Sequence, residues 1–312
     1  MSYILSLTKG NPIAYINGGR LDGQTLKLYN PEEDSDNESD DEEKVNFPME
    51  LLGPDFLKKN KIGKKNFDSF VKSLILGENK LVDKSYNDVY DKAIERINEQ
   101  KKKEFILDDG ELFPIHPNTK EGFHIYIAAP TGAGKSTAIV NWVTLYKKLF
   151  PKNRLYIFSR DYDDPVMNSV SGIKKMKLGD ELLESNIDPI KYFKNSLVIF
   201  DDIDTIADKE IRDEIFRIRD DLLQMGRKHG ISVACSSHLI CNNQPTKIAL
   251  NDSRGVIIYP HSGGGGLQYF LKKYIGLDTK QVAKILKLPS RWVYIKKDYP
   301  ITIIYSKGAY LK

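Results

Sequence analysis

Cysteine is nearly absent from this sequence: Cys235 and Cys241 are the two among 312 residues. Two cysteines cannot build a disulfide framework, and neither has partners at the spacing of a zinc site. Both read as free thiols of a reducing compartment. Long hydrophobic runs are missing too. No stretch approaches the roughly 20 apolar residues that cross a bilayer, so no membrane span is expected. The opening residues 1–9 show neither a basic leader nor a cleavage-type end, which argues against secretion. What remains is 40% hydrophobic and 29% charged, the balance of a globular chain. Its length allows one substantial core, or a core with a small accessory domain.

Charge is plentiful but uneven. Residues 31–43 carry nine acids and no base: Glu32, Glu33, Asp34, Asp36, Glu38, Asp40, Asp41, Glu42 and Glu43. The rest of the chain sets 47 basic residues against 34 acidic ones, a net of +13. A body of that sign suits a polyanion partner, although no single Lys/Arg stripe separates this from ordinary solubility charge. The acidic run has no apolar content to offset its ordering entropy. Residues 31–45 are therefore expected to be a disordered insert, either a solubilising linker or a mask over the basic body. Residues 1–30 precede it as a small β element, with strand-like stretches at 3–7, 13–16 and 25–29 and turns at Gly18, Gly19 and Gly23. Residues 46–105 form a Lys-rich accessory region with helices expected over 67–76 and 85–103. Val89, Ala93, Ile94 and Ile97 make an apolar stripe on the second of these.

From residue 106 the pattern changes to apolar strands alternating with helices, which predicts an α/β core with a mostly parallel sheet covered on both faces. Its centre is His124 to Thr137: five strand-like residues, a glycine-rich turn, then a helix start. That order is the context of a phosphate-binding loop. Ala129, Pro130, Thr131, Gly132, Ala133, Gly134, Lys135, Ser136 and Thr137 would cradle a nucleotide. The glycines let successive N–H groups face phosphate oxygens, and the helix adds the positive end of its dipole. Lys135 would reach the terminal phosphates and the Ser136 hydroxyl would ligate Mg²⁺, so ATP and Mg²⁺ are the expected cofactors. Ala129 stands where such loops usually open with glycine, so the turn must begin in an ordinary backbone conformation.

Residues 197–200, all apolar, run into Asp201 and Asp202. A buried strand delivers such acids at the carboxyl-end rim of an α/β sheet, where ligands bind. Asp201 is suited to the Mg²⁺ shell and Asp202 to polarising the attacking water. The chain between them and Lys135 leaves room for an intervening strand, the arrangement of P-loop enzymes that carry their own catalytic carboxylate. An amphipathic helix over 208–228 follows, with Ile211, Ile215, Ile218, Leu222 and Met225 on one face and arginines elsewhere, most of them paired at the surface. Arg227 at its end either projects as an arginine finger toward a neighbouring subunit or simply complements the helix C-terminus. A strand at 231–235 leads to Ser237 and His238, which could sense the γ-phosphate, as could Asn242 or Asn243. Arg254, before a strand at 255–259, is a second finger or DNA-contact candidate. Gly263 to Gly266 reads as a hinge. Helices over 267–274 and 278–286, the latter capped by Asp278, offer a weak helix-turn-helix pattern. Residues 292–295 and 301–305 predict a C-terminal β-hairpin at the sheet edge.

Together these motifs resemble the FtsK/HerA superfamily of P-loop motor ATPases, nearest in form to the poxvirus-type genome-packaging ATPases of nucleocytoplasmic large DNA viruses. The resemblance rests on Ala129 to Thr137, on Asp201-Asp202 where that family usually has Asp-Glu, and on Gly226 to Ser232, which matches its Gly-Arg-x-x-Gly-Ile segment. Ser237-His238 departs from the Thr-Gln of bacterial DNA translocases. The resemblance covers residues 106–260 and implies an additional-strand, RecA-like fold and an Mg²⁺-dependent ATPase acting on double-stranded DNA. It further implies a ring of about five or six subunits, packaging into a capsid through a portal or vertex, and a location in the virion or viral factory of the host cytoplasm. A small-molecule kinase shares the phosphate loop, and a nucleotide-gated scaffold with negligible turnover shares the motifs.

Overall fold

The computed structural model describes residues 3–31, 70–74, 88–94, 103–161, 163–241, 243–262 and 266–312. Apart from residue 31, the acidic run lies outside them. So do most of the expected accessory helices, Asn242, and Gly263 to Gly265 of the expected hinge. The chain forms two compact units. One comprises residues 1–11, 28–105 and 311, the other 12–27, 106–310 and 312.

In the first unit residues 70–74 and 88–94 are helical. Phe70 meets Tyr90 edge-on with ring centroids 6.2 Å apart, and the Tyr90 hydroxyl donates to the Ser73 carbonyl at 3.2 Å. Strand β1 (Ile4–Ser6) belongs to this unit, whereas β2 (Asn11–Asn17) from residue 12 and β3 (Thr25–Tyr29) up to residue 27 belong to the second; all three form where the strand-like stretches predict them. A short β4 (Glu104–Ile106) follows.

The second unit is built on β5 (Glu111–Pro114), β6 (His124–Ala128), β7 (Arg154–Ser159), β8 (Ile173–Lys175), β9 (Ser196–Asp201), β10 (Ser232–Ser237), β11 (Gly255–Ile258), β12 (Val293–Lys296), β13 (Thr302–Tyr305) and β14 (Gly308–Leu311). Antiparallel β5 pairs with β2, Phe113 opposite Tyr15. The main sheet runs β13-β12-β11-β6-β10-β9-β7-β8, with β14 beyond β13. From β11 to β8 every pairing is parallel, and β12 and β13 add the expected antiparallel hairpin at the β11 edge. Strand β10 stands between β6 and β9, so the chain adopts the additional-strand P-loop fold.

Helices α1 (Lys135–Leu149), α2 (Pro165–Asn168), α3 (Asp180–Glu184), α4 (Pro189–Tyr192), α5 (Lys209–Met225), α6 (Asn243–Asp252), α7 (Gly266–Lys273) and α8 (Thr279–Leu286) complete the unit. Alternation along each strand assigns them to faces. Tyr126, Phe158, Phe200, Val233, Cys235 and Val256 point to one side and pack with Ile215, Ile218 and Leu222 of α5 and with buried residues of α6, α7 and α8. The other side receives α1, whose Trp142 meets Phe123 and Tyr294 at ring centroids of 5.9 and 6.3 Å. Asp278 caps α8 through a capping box with Gln281, as its position predicts. Cys235 is buried and Cys241 half-buried, both as free thiols. Among the described residues no helix is long and apolar enough to cross a membrane.

Three local expectations change. Helix α5 ends at Met225 and tightens into a 3₁₀ turn, Gly226–His229, so Met225 leaves the apolar face and is 52% exposed. Arg219 is buried rather than superficial, lying over the Phe216 ring with its guanidinium on Asp220. Strand β10 continues two residues past the expected end, taking Ser236 and Ser237 into the sheet. Ile218→Ala, which opens a cavity where α5 meets the sheet, is expected to lower unfolding free energy by about 2–5 kcal/mol in urea titrations. Met225→Ala should stay within about 0.5 kcal/mol of the parent protein.

Candidate active site

Strand β6 is buried along its whole length and ends at Ala128, where the chain turns through residues 129–134 into α1. Ala129 has no positive φ and donates its N–H to the Ser237 carbonyl at 3.1 Å, so the turn opens in ordinary geometry as required. Gly132 (φ 77°) and Gly134 (φ 109°) then take left-handed conformations that a side chain resists. Two carbonyls of this turn are tied from outside. The Tyr259 hydroxyl donates to Gly134 O at 2.9 Å and the Arg291 guanidinium to Gly132 O at 3.0 Å. Burial holds the Tyr259 phenol near pKa 12, so it remains a donor.

The turn forms one wall of a cleft of about 750 Å³, which also holds Ser136, Thr137, Ser159, Asp201, Asp202 and His238. Lys135 is buried, 7% exposed, with its ammonium 3.1 Å from Asp202 Oδ2 and 2.8 Å from His238 Nδ1. With Nδ1 accepting from the lysine, Nε2 of His238 carries the hydrogen and meets the same Asp202 Oδ2 at 3.1 Å. Asp202 reaches them because it leaves the strand at φ 46°, a left-handed conformation that aspartate tolerates better than most residues. Its N–H donates to Ser236 Oγ, and its carbonyl accepts from the Thr205 N–H and hydroxyl.

Asp201 is the last residue of β9 and points to the α1 side of the sheet. Ser236 Oγ donates to its Oδ1 at 2.5 Å, and Ser159 Oγ lies 3.5 Å from Oδ2. Burial raises its carboxyl above the ordinary value, helped by the Asp202 charge. The Ser236 hydrogen bond and the Lys135 charge oppose the shift. Asp201 Oδ2, with one long contact, keeps acceptor capacity toward the cleft. Among the described residues no three His, Cys, Asp or Glu side chains cluster as a metal cage. Mg²⁺ bound with nucleotide needs only one or two carboxylates beside phosphates and water, so Asp201 with the Ser136 hydroxyl fits that ion.

Other sequence candidates lie elsewhere. Ser237 turns to the opposite face, donating to Asp204 at 3.2 Å, and it does not line the cleft. Arg227 and Arg254 sit at the amino end of the sheet. The Arg227 carbonyl accepts from Gly122 N and its side chain approaches Glu121 at 3.5 Å. Arg254 is ion-paired with Asp298 at 2.7 Å and donates its N–H to His124 O. Between them His124 is held near pKa 4, first by burial and then by the two arginines. A five-residue strand, roughly 15 Å, separates this end from the glycine turn, so neither arginine enters its own chain's cleft.

Sequence reasoning missed Ser159, Ser236, Arg160 and Arg291, all at or beside the cleft. The serines were discoverable. Counting alternation through Ile157 to Ser159, Ile199 to Asp201 and Ala234 to Ser236 puts Ser159, Asp201 and Ser236 on one face. Arg291, 159 residues from its partner Gly132, left no local signal.

No family model matches the chain. Uncharacterized protein V3 of Sputnik virophage is 40% identical over 218 residues, which span 68% of this chain and 87% of that protein. Among solved structures, the genome packaging NTPase B204 from Sulfolobus turreted icosahedral virus 2 in complex with AMP superposes with a TM-score of 0.42 and 14% identity, over 60% of this chain and 98% of that one. The cytoplasmic domain of the Thermomonospora curvata type VII secretion ATPase EccC gives 0.41 and 10%, over 66% and 28%.

Because burial raises the Asp201 carboxyl, the folded protein holds this proton more tightly than the unfolded chain does. The stabilisation from the protonated form is full below the ordinary value of 3.8 and is lost as pH rises through the raised one. Asp201→Asn keeps an acceptor for Ser236 and removes that loss. In chelator-treated buffer the variant should withstand more urea than the parent at pH 7, with the gap narrowing as pH falls toward 3.8. Equal or lower resistance at pH 7 would contradict the burial argument.

Proposed function

This chain belongs to the family of the virophage protein V3, and from that premise we propose that it is an Mg²⁺-dependent ATPase that translocates double-stranded DNA to package a viral genome. The observation that carries the reading is the meeting of Lys135 with Asp202, 3.1 Å apart, beside Asp201 and Ser136 in one cleft at one rim of one sheet.

The turn's amide donors and the N-terminus of α1 bind the triphosphate. Mg²⁺, held by Ser136 and Asp201, would supply charge neutralisation at the phosphates. Lys135 must leave Asp202 to reach the γ-phosphate, and that exchange frees the carboxylate. Asp202 then orients and polarises the attacking water as general base. His238 keeps Asp202 aligned through Nε2 while its Nδ1 faces Lys135, so it reports whether the lysine is on phosphate or on carboxylate. Ser237 acts behind this pair, fixing Asp204 and the end of β10.

Arg227 is 43% exposed at the end of the sheet opposite its own cleft, which supports a role at a neighbour's cleft. Arg254, engaged with Asp298, is the weaker candidate. That placement supports a head-to-tail ring, and the +13 balance outside the acidic run supports a polyanion track. A capsid vertex as docking point and a virion or viral-factory location complete the proposal, consistent with a relative from a virophage.

Phosphate release, measured with and without duplex DNA, tests the reading. Lys135→Ala should abolish turnover. Asp202→Asn should still bind ATP while losing about 10²–10⁴-fold in kcat. Wild-type rates in both variants would remove the assignment, and a phosphorylated small acceptor formed without DNA would replace it with a kinase. Mixing Arg227→Ala with parent protein should depress activity more steeply than simple dilution. A strictly linear dependence on the mutant fraction would argue against a residue acting across subunits.

A further inference from the structure

A second cavity, about 460 Å³, opens on the far side of the glycine turn. Gly134, Thr137 and Arg291 line both it and the acidic cleft, so the two adjoin at the first turn of α1. Its walls differ in kind from those of the cleft. Tyr15 of β2 stacks on Phe113 of β5 with centroids 5.2 Å apart and planes at 18°, and Phe113 leans on Trp292 at 6.0 Å and 30°. All three rings are only half-buried, although each has aromatic neighbours. Their remaining faces border the cavity, with Asn141 and Glu111 as polar groups at its margin.

We propose that this cavity is the nucleoside subsite, taking the purine base of ATP by stacking on the Tyr15–Phe113–Trp292 wall. The inference rests on the phosphate-binding reading of the glycine turn. A nucleotide gripped there must send its sugar and base away from the loop. The cleft itself is lined by Asp161, Asp164, Asp201 and Asp202 and by no Phe, Tyr or Trp, and its imidazole, His238, is already engaged with Lys135 and Asp202. The other exit, past Gly134 and Arg291, leads directly to unfilled aromatic surface. Aromatic rings stack with any base because every base has a π-face, and the volume lies within the range of small-molecule sites. Arg291 stands at the junction, its guanidinium already on the Gly132 carbonyl, where a ribose would pass. The subsite gives the N-terminal β2–β5 pair and the Pro289 to Trp292 turn a role in holding ligand.

The test compares ATP with inorganic tripolyphosphate, which has the phosphates and no base, by calorimetry on the full chain. Trp292→Ala is expected to weaken ATP binding about tenfold to a hundredfold while tripolyphosphate affinity stays within about twofold of the parent. Trp292→Phe, which keeps a ring, should recover most of the loss, and Tyr15→Ala should repeat the selective defect. ATP affinity unchanged in both alanine variants, against a parent that binds both ligands, overturns the subsite and leaves the nucleotide reading standing. Equal loss of ATP and tripolyphosphate in both alanine variants also counts against a base subsite. A parent protein that binds neither ligand overturns the phosphate-loop reading and this inference together.

Discussion

Everything at the rim depends on how β10 is laddered between its neighbours. It pairs in parallel with β6, Ser237 opposite Ala128, and with β9, Cys235 opposite Phe200. These registers bring the end of the strand that enters the glycine turn level with the end of the strand that carries the acids. They also place Ser236 where one hydroxyl bonds Asp201 and accepts from the Asp202 backbone. A slip of one residue would turn Ser236 to the other face and bring Ser237 forward, separating the serine from both carboxylates. Because all three strands are buried on both faces, such a slip would also expose or misplace every core side chain they carry.

The two aspartates are adjacent in sequence yet differ in environment. Asp201 stays in the sheet, is buried, and holds its proton more readily. Asp202 steps out through a left-handed turn and answers a lysine and a histidine. One backbone torsion therefore divides a doublet into a group suited to a hard cation and a group suited to water. On the opposite side of the turn, Tyr259 and Arg291 occupy the Gly134 and Gly132 carbonyls. The loop thus has its acceptors tied off outside, leaving its amide donors for the ligand side.

The sequence made legible those features that are local. The glycine turn, the acid doublet, the apolar face of α5 as far as Leu222 and the hairpin at β12 and β13 each depend on residues within a few positions of one another, and each formed where expected. Short β8, with two lysines in three residues, has no apolar alternation to announce it and is fixed by pairing with β7. Of the two sensor candidates His238 lines the cleft and Ser237 does not, for a subtler reason. Ending β10 at Cys235 left Ser237 free to face the ligand, whereas a strand that continues alternates, and Ser237 follows Cys235 and Val233 toward Asp204. Arg291 and the Tyr15–Phe113–Trp292 wall join segments far apart in the chain, which no window of sequence displays.

The pairing of Lys135 with Asp202 and His238 also bears on product release. A buried ammonium left without a counter-charge is costly, by several kcal/mol where burial is complete. Under the proposed function, departing phosphates would not create that penalty, because Asp202 stands 3.1 Å away to take their place. Vacating the pocket is then an exchange of partners for the lysine rather than an abandonment. A loop built on such a swap can let go of an anion without first having to loosen its fold.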